Sequence, residues 1–501
     1  MNKSRKGTHW FFGHGIFVGL LIALVFQGCA MNPVTGRPDF VLTTTEGERK
    51  MGKDAAREVE QSMGLIQDPA LAVYVEAIGN QLAEQSPRKD VECHFYVVEM
   101  MEPNAFALPG GFVYVSRGLL ALSNSEDELA GVIGHEIGHV AARHSVRRMS
   151  AAAPFALVAG ITGGVVGLVS NDLGDVVGAI PSLAGKAFLA PYSRQQEREA
   201  DDVGVDIMAK AGWDPSGLSR FLQTLQREDE LQLGQSRQQD FFDSHPATPE
   251  RIENTAAYAK KVVQAVARPI AADRAAFLRK LDGLVIGPHP AEGVFVKGLF
   301  LQPDLDFALR FPPGWKTHNA RQAVLAAKED QSAFIFIQAA AKGSDPMIVP
   351  RELDKKAEGK ILEKVEHFTV GDLPAARIQI ETQTKQGPTI VEITWIAHKG
   401  LVYQITGVLP KKQFEQSHTL LDATIQSFRP MTVSEHTSIT ITKLRIATAK
   451  DGETLQELLA RTGSIWNIEQ AAVANALQPD SRLRAAQLVK IAQREPYGQS
   501  R

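Results

Sequence analysis

Residues 134–140 read GHEIGHV. His135 and His139 stand four apart, and Glu136 adjoins the first of them. Around them Leu129, Val132, Ile133, Ile137 and Val140 recur at steps of three and four, the period of a helix with a buried face. Ser125 and Glu128 precede it at capping-box spacing. Positions four apart on a helix differ by about 40° around its axis, so the two imidazoles project the same way. Such a pair can grip one zinc ion, and the glutamate beside it then takes a proton from water rather than binding metal. The plain alternative is a solvated helix face carrying unrelated histidines. The apolar residues on either side argue against solvation.

A catalytic zinc site takes a third protein ligand and keeps one position open. A third histidine placed one further turn along would need Gly at 142 and His at 145; the chain has Ala142 and Ser145. His144 lies nine residues from His135, about 180° around the axis, and is expected to face away. The third ligand must therefore come from elsewhere. The stretch SRQQEREADDVG, residues 193–204, offers Glu197 and Asp201, four apart on one helical face. Glu197 is the candidate ligand, and Asp201 the residue that orients a ligand histidine through a hydrogen bond. Glu199, about 200° away from Glu197, is expected to be solvated. Taken alone, EREADD reads as a charged surface helix.

HEIGHVAARHS (135–145) together with SRQQEREAD (193–201) resembles metallopeptidase family forty-eight, the HtpX/Oma/prenyl-protease-like gluzincins. NPVTGR (32–37), NAFALPGGFVYVSRGLL (104–120), SEDELAGVIGHEIGHV (125–140) and SHPATPERI (244–252) extend the resemblance over about residues 31–260. It implies an α+β gluzincin metallopeptidase domain, mainly helical with a small sheet. It implies His135, His139 and Glu197 as ligands of one zinc ion per chain, with Glu136 as the catalytic base. It also implies a place near the zinc for His245. There the imidazole either fills the open position as a lid or donates a hydrogen bond to the oxyanion formed during attack. A loop histidine that touches no metal is the alternative. Asn104, Ala105, Phe106, Ala107 and Leu108 form the candidate substrate-edge strand, which would pair with an extended polypeptide backbone.

The rest of the chain sets the context. With 501 residues it has room for about three domains. A hydrophobic share of 44% and a charged share of 22% are those of a globular protein. Lys and Arg number 54 against 57 Asp and Glu, a balance of −3 that argues against nucleic acid as a partner. Residues 1–28 start basic, continue apolar and end in QG before Cys29, as a secretory signal does. FQGC resembles a bacterial lipoprotein box, which implies lipid on Cys29 and a tether over 29–45. The following Ala30 favours the outer membrane, facing the periplasm. The small apolar stretch 151–193 is expected as helices packed over the active site, touching lipid, or as plain core. With only two cysteines, Cys29 and Cys93, no disulfide framework is implied.

These readings give a multidomain chain. The metallopeptidase domain covers 46–285, and a β-rich α+β middle domain of unknown role covers 290–432. A small module at 440–493 resembles LysM, which implies peptidoglycan as a partner; Ala486 stands where that pattern has Gly. The expected activity is that of a zinc endopeptidase in the bacterial periplasm. Its expected partners are misfolded or stalled envelope polypeptides, the membrane through a lipid anchor, and the outer-membrane assembly machinery. The rivals are a chaperone-like or peptidoglycan-binding scaffold with a shut peptidase, and a cell-wall amidase.

Overall fold

The computed structural model describes residues 29–41, 43–150, 191–232, 245–266, 269–319, 321, 323–356, 361–384 and 387–498. The expected leader over 1–28 and residues 151–190 of the apolar stretch lie outside them.

The segment expected as a tether carries structure. β1 (Cys29–Met31) and β2 (Pro38–Phe40) pair antiparallel. Asn32 closes the turn between them, its Oδ1 accepting from the Val34 and Thr35 amides at 2.8 and 3.1 Å. Helices α1 (Thr45–Ser62) and α2 (Pro69–Ala83) follow, capped by the side chains of Thr44 and Asp68. β3 (His94–Val98), β4 (Ala105–Leu108) and β5 (Phe112–Ser116) make a sheet in the order β3-β5-β4. β4 and β5 form a hairpin through Pro109–Gly111, where Gly110 and Gly111 take φ of 75° and 94°. That leaves β4 as an edge.

α3 (Arg117–Leu122) leads into α4 (Glu126–Ala141), the helix that carries both site histidines. α5 (Arg194–Ala211), α6 (Gly217–Gln232), α7 (Pro249–Ala259) and α8 (Arg274–Lys280) complete the helical layer. α5 begins in a capping box between Ser193 and Gln196 and ends on left-handed Gly212. The sequence pattern gives α4 one buried face, but every residue of it except Asp127 is buried. Its glycines allow this. A Cβ on Gly138 would lie 2.8 Å from the Ala200 carbonyl oxygen, and one on Gly204 would lie 2.8 Å from the His135 nitrogen. The α4 and α5 backbones therefore meet directly, and this crossing brings Glu197 to the histidines.

The middle region is built on two antiparallel sheets. β6 (Val294–Val296), β7 (Leu299–Gln302) and β8 (Phe307–Arg310) form the smaller. The larger has seven strands: β9 (Lys316–Asn319), β10 (Ala323–Ala327), β11 (Phe334–Lys342), β12 (Glu366–Val370), β13 (Leu373–Thr384), β14 (Gly387–His398) and β15 (Leu401–Pro410). Their order is β12-β13-β14-β15-β11-β10-β9. α9 (Ile348–Lys356) packs with the core around Trp395, and α10 (Phe414–Gln426) with the core around Tyr403 and Phe428. α11 (Val433–Ser438) then leads to a β-α-α-β unit of β16 (Thr440–Thr448), α12 (Leu455–Thr462), α13 (Ile468–Ala474) and β17 (Leu488–Pro496). In it Ala486 is held at φ 61°, a conformation that suits glycine.

This last unit is docked on the helical domain. The fully buried Lys490 ammonium donates to the carbonyls of Ala121, Leu122 and Ser123 at 2.8, 3.1 and 2.8 Å. Arg274 of α8 reaches the Leu488 carbonyl at 3.1 Å. Among the described residues no helix is long and apolar enough to cross a membrane.

Candidate metal centre

His135, His139, Glu197 and His245 each bring one ligand atom to a common point, all within 4.8 Å of one another and all buried. The Nε2 atoms of His139 and His135 lie 3.0 Å apart. His245 Nδ1 is 3.0 Å from Glu197 Oε1 and 3.2 Å from His135 Nε2. Glu197 Oε1 is 3.4 Å from His139 Nε2. Crowding ring nitrogens against one another and a carboxylate, away from water, is costly unless they share a cation. Imidazole nitrogen with carboxylate oxygen is a donor set that suits zinc. Glu136 adds a second sign. Both of its carboxylate oxygens are buried without a hydrogen-bond partner among the described residues, with His245 Nε2 3.6 Å from one of them. A buried carboxylate in that state needs a polar guest. Burial pushes the Glu136 carboxyl above its ordinary range, against the pull of His245 and His135. Burial pushes Glu197 the same way, but His245, His139 and Arg251 outweigh it and hold the carboxyl well below its usual range.

A ring of further residues fixes the candidate ligands. Asp201 Oδ1 lies 2.8 Å from His135 Nδ1, on the side away from the common point. His139 Nδ1 lies 2.8 Å from His144 Nδ1, and His144 Nε2 lies 3.4 Å from Glu199 Oε2. Two expectations from helical angle are corrected here. His144 does not face away, because α4 ends at Ala141 and Arg143 turns left-handed at φ 56°. That turn swings His144 back under His139. Glu199 does point away from Glu197 but is not solvated: its side chain is 12% exposed. It accepts from Asn32 Nδ2 at 3.3 Å, in the turn between β1 and β2.

Arg251 is a residue that the sequence reading did not single out. Its guanidinium grips both oxygens of Asp201 at 2.9 and 2.7 Å. The same group stands 2.8 Å from Glu197 Oε2 and donates to the Pro246 carbonyl at 2.9 Å. The sequence did hold a signal. Arg251 falls in the first turn of α7, behind the Thr248 cap, where a helix disfavours positive charge. A cation there needs anions close by.

Tyr192 links the centre to the edge strand. Its ring stacks on His139 with centroids 4.0 Å apart, and its hydroxyl is 2.8 Å from Ser145 Oγ. Ser145 Oγ in turn donates to the Ala107 carbonyl at 3.4 Å. The Asn104 carbonyl accepts from the Ser116 amide. By alternation, Asn104, Phe106 and Leu108 direct their main chain to β5, and Ala105 and Ala107 direct theirs outward. All five residues are buried.

Residues 69–259 match Peptidase family M48. The beta-barrel assembly-enhancing protease of Yersinia pestis is 31% identical over 211 residues, 41% of this chain and 43% of that protein. Metalloprotease YcaL of Escherichia coli (strain K12) is 35% identical over 190 residues, 37% of this chain and 66% of that protein. The mitochondrial metalloendopeptidase OMA1 of Saccharomyces cerevisiae is 30% identical over 267 residues, 48% of this chain and 74% of that protein. The chain thus spans under half the length of the Yersinia protein and about three quarters of the yeast one.

Proposed function

The chain belongs to peptidase family M48, and from that premise we propose that it is a zinc-dependent endopeptidase of the bacterial periplasm, acting on misfolded or stalled envelope proteins. The observation that carries this is the buried convergence of His135, His139 and Glu197 with Glu136 alongside. These three residues would hold one zinc ion per chain. When bound, the ion supplies a Lewis acid that polarises the scissile carbonyl and acidifies water.

The chain's own residues do the rest. Glu136 accepts the proton of the water that attacks the carbonyl and hands it to the departing amine. Asp201 on His135, and the His144–Glu199 pair on His139, hold the ligand imidazoles in one orientation. Arg251 occupies Glu197 Oε2 and leaves Oε1 toward the histidines. Ala105 offers outward main-chain groups and Ala107 its outward amide to an extended substrate, the Ala107 carbonyl already accepting from Ser145, with Asn104, Phe106 and Leu108 holding β4 to β5.

His245 supports a restrained resting state. Its ring nitrogen shares the common point with the three ligands, so the imidazole would fill the fourth position as a lid until its loop moves. The same observation favours the rival reading of a scaffold whose peptidase is mostly shut. The relatives named as beta-barrel assembly-enhancing proteases motivate the outer-membrane assembly machinery as partner. We assign anchoring to lipid on Cys29, and glycan contact to the β-α-α-β unit.

The test is a metal analysis combined with digests of casein and of peptidoglycan. Glu136→Gln should retain zinc and lose casein hydrolysis by about 10²–10⁴-fold. His245→Ala should retain zinc and cut faster. A metal-replete Glu136→Gln protein with near-normal turnover would falsify the assignment. Release of peptidoglycan fragments without casein cleavage would favour the amidase.

A further inference from the structure

A cleft of about 720 Å³ lies between the helical domain and the middle region. Two of its walls are strands at the ends of their sheets. Thr317 and His318 belong to β9, the last strand of the larger sheet, and Phe295 to β6, the last strand of the smaller. Asn319 Nδ2 donates to the carbonyls of Glu292 and Gly293 at 2.9 and 3.2 Å, which ties the end of β9 to the entrance of β6. The third wall is Met63, Met100 and Met101. Met101 and Phe295 are 40% and 37% exposed, and Lys316, Thr317 and His318 are exposed along β9.

We propose that this cleft is a docking site for an extended stretch of unfolded polypeptide, which adds a strand to β9 and runs on toward β4. The occupant follows from the endopeptidase reading, on which the proposal rests.

Three features select an extended chain over other partners. First, among the described residues β9 presents its outer main-chain groups with no strand beyond it. Edge strands are ordinarily blunted by proline, bulges or charge, and β9 carries only Lys316 of these. Backbone pairing at such an edge recognises any extended polypeptide. Second, thioether side chains on the facing wall adapt to varied side chains. Third, the cleft offers no surplus of positive charge to a polyanion. Arg117 is consumed by Glu99 at 3.0 Å and by the carbonyls of Val285 and Gly287 at 2.7 and 2.9 Å. The remaining Arg321 lines the cleft together with Glu102 and Glu292, and its charge acts on the Glu292 carboxyl.

On this proposal the path leads from the cleft to β4. Met100 and Met101 stand a few residues before Asn104 in the chain. From Met101 to Ala107 a fully extended backbone spans at most roughly 20 Å at about 3.3 Å per residue. On this proposal a polypeptide long enough to cover that distance engages both the cleft and β4, whereas a short peptide engages β4 alone. The chain would discriminate by length and unfoldedness.

The test is hydrogen exchange read by mass spectrometry on the full chain carrying Glu136→Gln, with reduced β-casein as probe. Exchange along 316–319 should slow when β-casein is added. In the same background Met101→Glu should weaken binding of labelled β-casein about tenfold by fluorescence anisotropy, with Met101→Leu near the parent value. Unchanged exchange at β9, or unchanged affinity in Met101→Glu, overturns the proposal. A short fluorogenic peptide cut by the unsubstituted chain keeps the endopeptidase reading separate. If that peptide is never cut, the reading fails, and the β9 result still decides the docking.

Discussion

Arg251 is the residue on which the Glu197 carboxylate and the His245 loop converge. Its guanidinium holds Glu197 Oε2, both oxygens of Asp201 and the Pro246 carbonyl. Arg251→Met should therefore loosen the metal, with zinc lost to a chromophoric chelator about 10–100-fold more readily. Arg251→Lys should recover only part of the hold, because a lysine lacks the planar fork that grips a carboxylate twice. Equal chelator competition in parent and Arg251→Met would remove Arg251 from this role. The sequence carried His135, His139 and Glu197 because a helix converts spacing into direction. The same arithmetic misplaced His144, since it holds only while the helix lasts, and α4 stops at Ala141. It sent Glu199 the right way but could not foresee what covers it. Asn32 comes from a turn 167 residues earlier.

At the scale of elements, the α4–α5 crossing decides whether there is a site at all. Gly204 sits where a Cβ would come within 2.8 Å of the His135 nitrogen, a backbone atom that cannot rotate aside. Gly204→Val should push the helices apart, destabilise the fold by about 1–3 kcal/mol and lower zinc content together with the melting temperature. A Gly204→Val protein with parental melting and zinc would show that the crossing tolerates spreading. The glycines of α4 are plain in the sequence, but their meaning depends on a partner helix more than fifty residues away. The strands of the middle region are legible for a local reason. Stretches such as IVEITWIAH and LVYQITGVL are β-branched and aromatic, and they appear as β14 and β15. The placing of β15 beside β11 is not legible, because pairing between distant strands leaves no mark in either.

Across the whole molecule, Lys490 is one of the ties between the C-terminal β-α-α-β unit and the helical domain, beside Arg274 and the main-chain bonds of Leu444 to Gly283 and Leu284. Its three acceptors lie at the end of α3 and just after it, immediately before α4. Lys490→Met should take the ammonium from the Ala121 and Ser123 carbonyls, while Leu122 keeps Asn124 Nδ2 at 3.1 Å, and cost about 3 kcal/mol, read as an earlier urea midpoint. Limited proteolysis should then cut first between the helical domain and the unit. An unchanged midpoint would mean that the carbonyls find other donors. The sequence showed Lys490 only as part of a strand, since no local pattern reveals that a lysine is to be swallowed by another domain. This joint also has a consequence in time. Lys490 lies 367 residues after Ser123. At synthesis rates of about 5–20 residues per second, the loop that enters the histidine helix waits roughly 20–70 s for its last three donors. The interval is a clock: a chain being made can pack its histidine helix on α5 well before the loop in front of that helix receives Lys490.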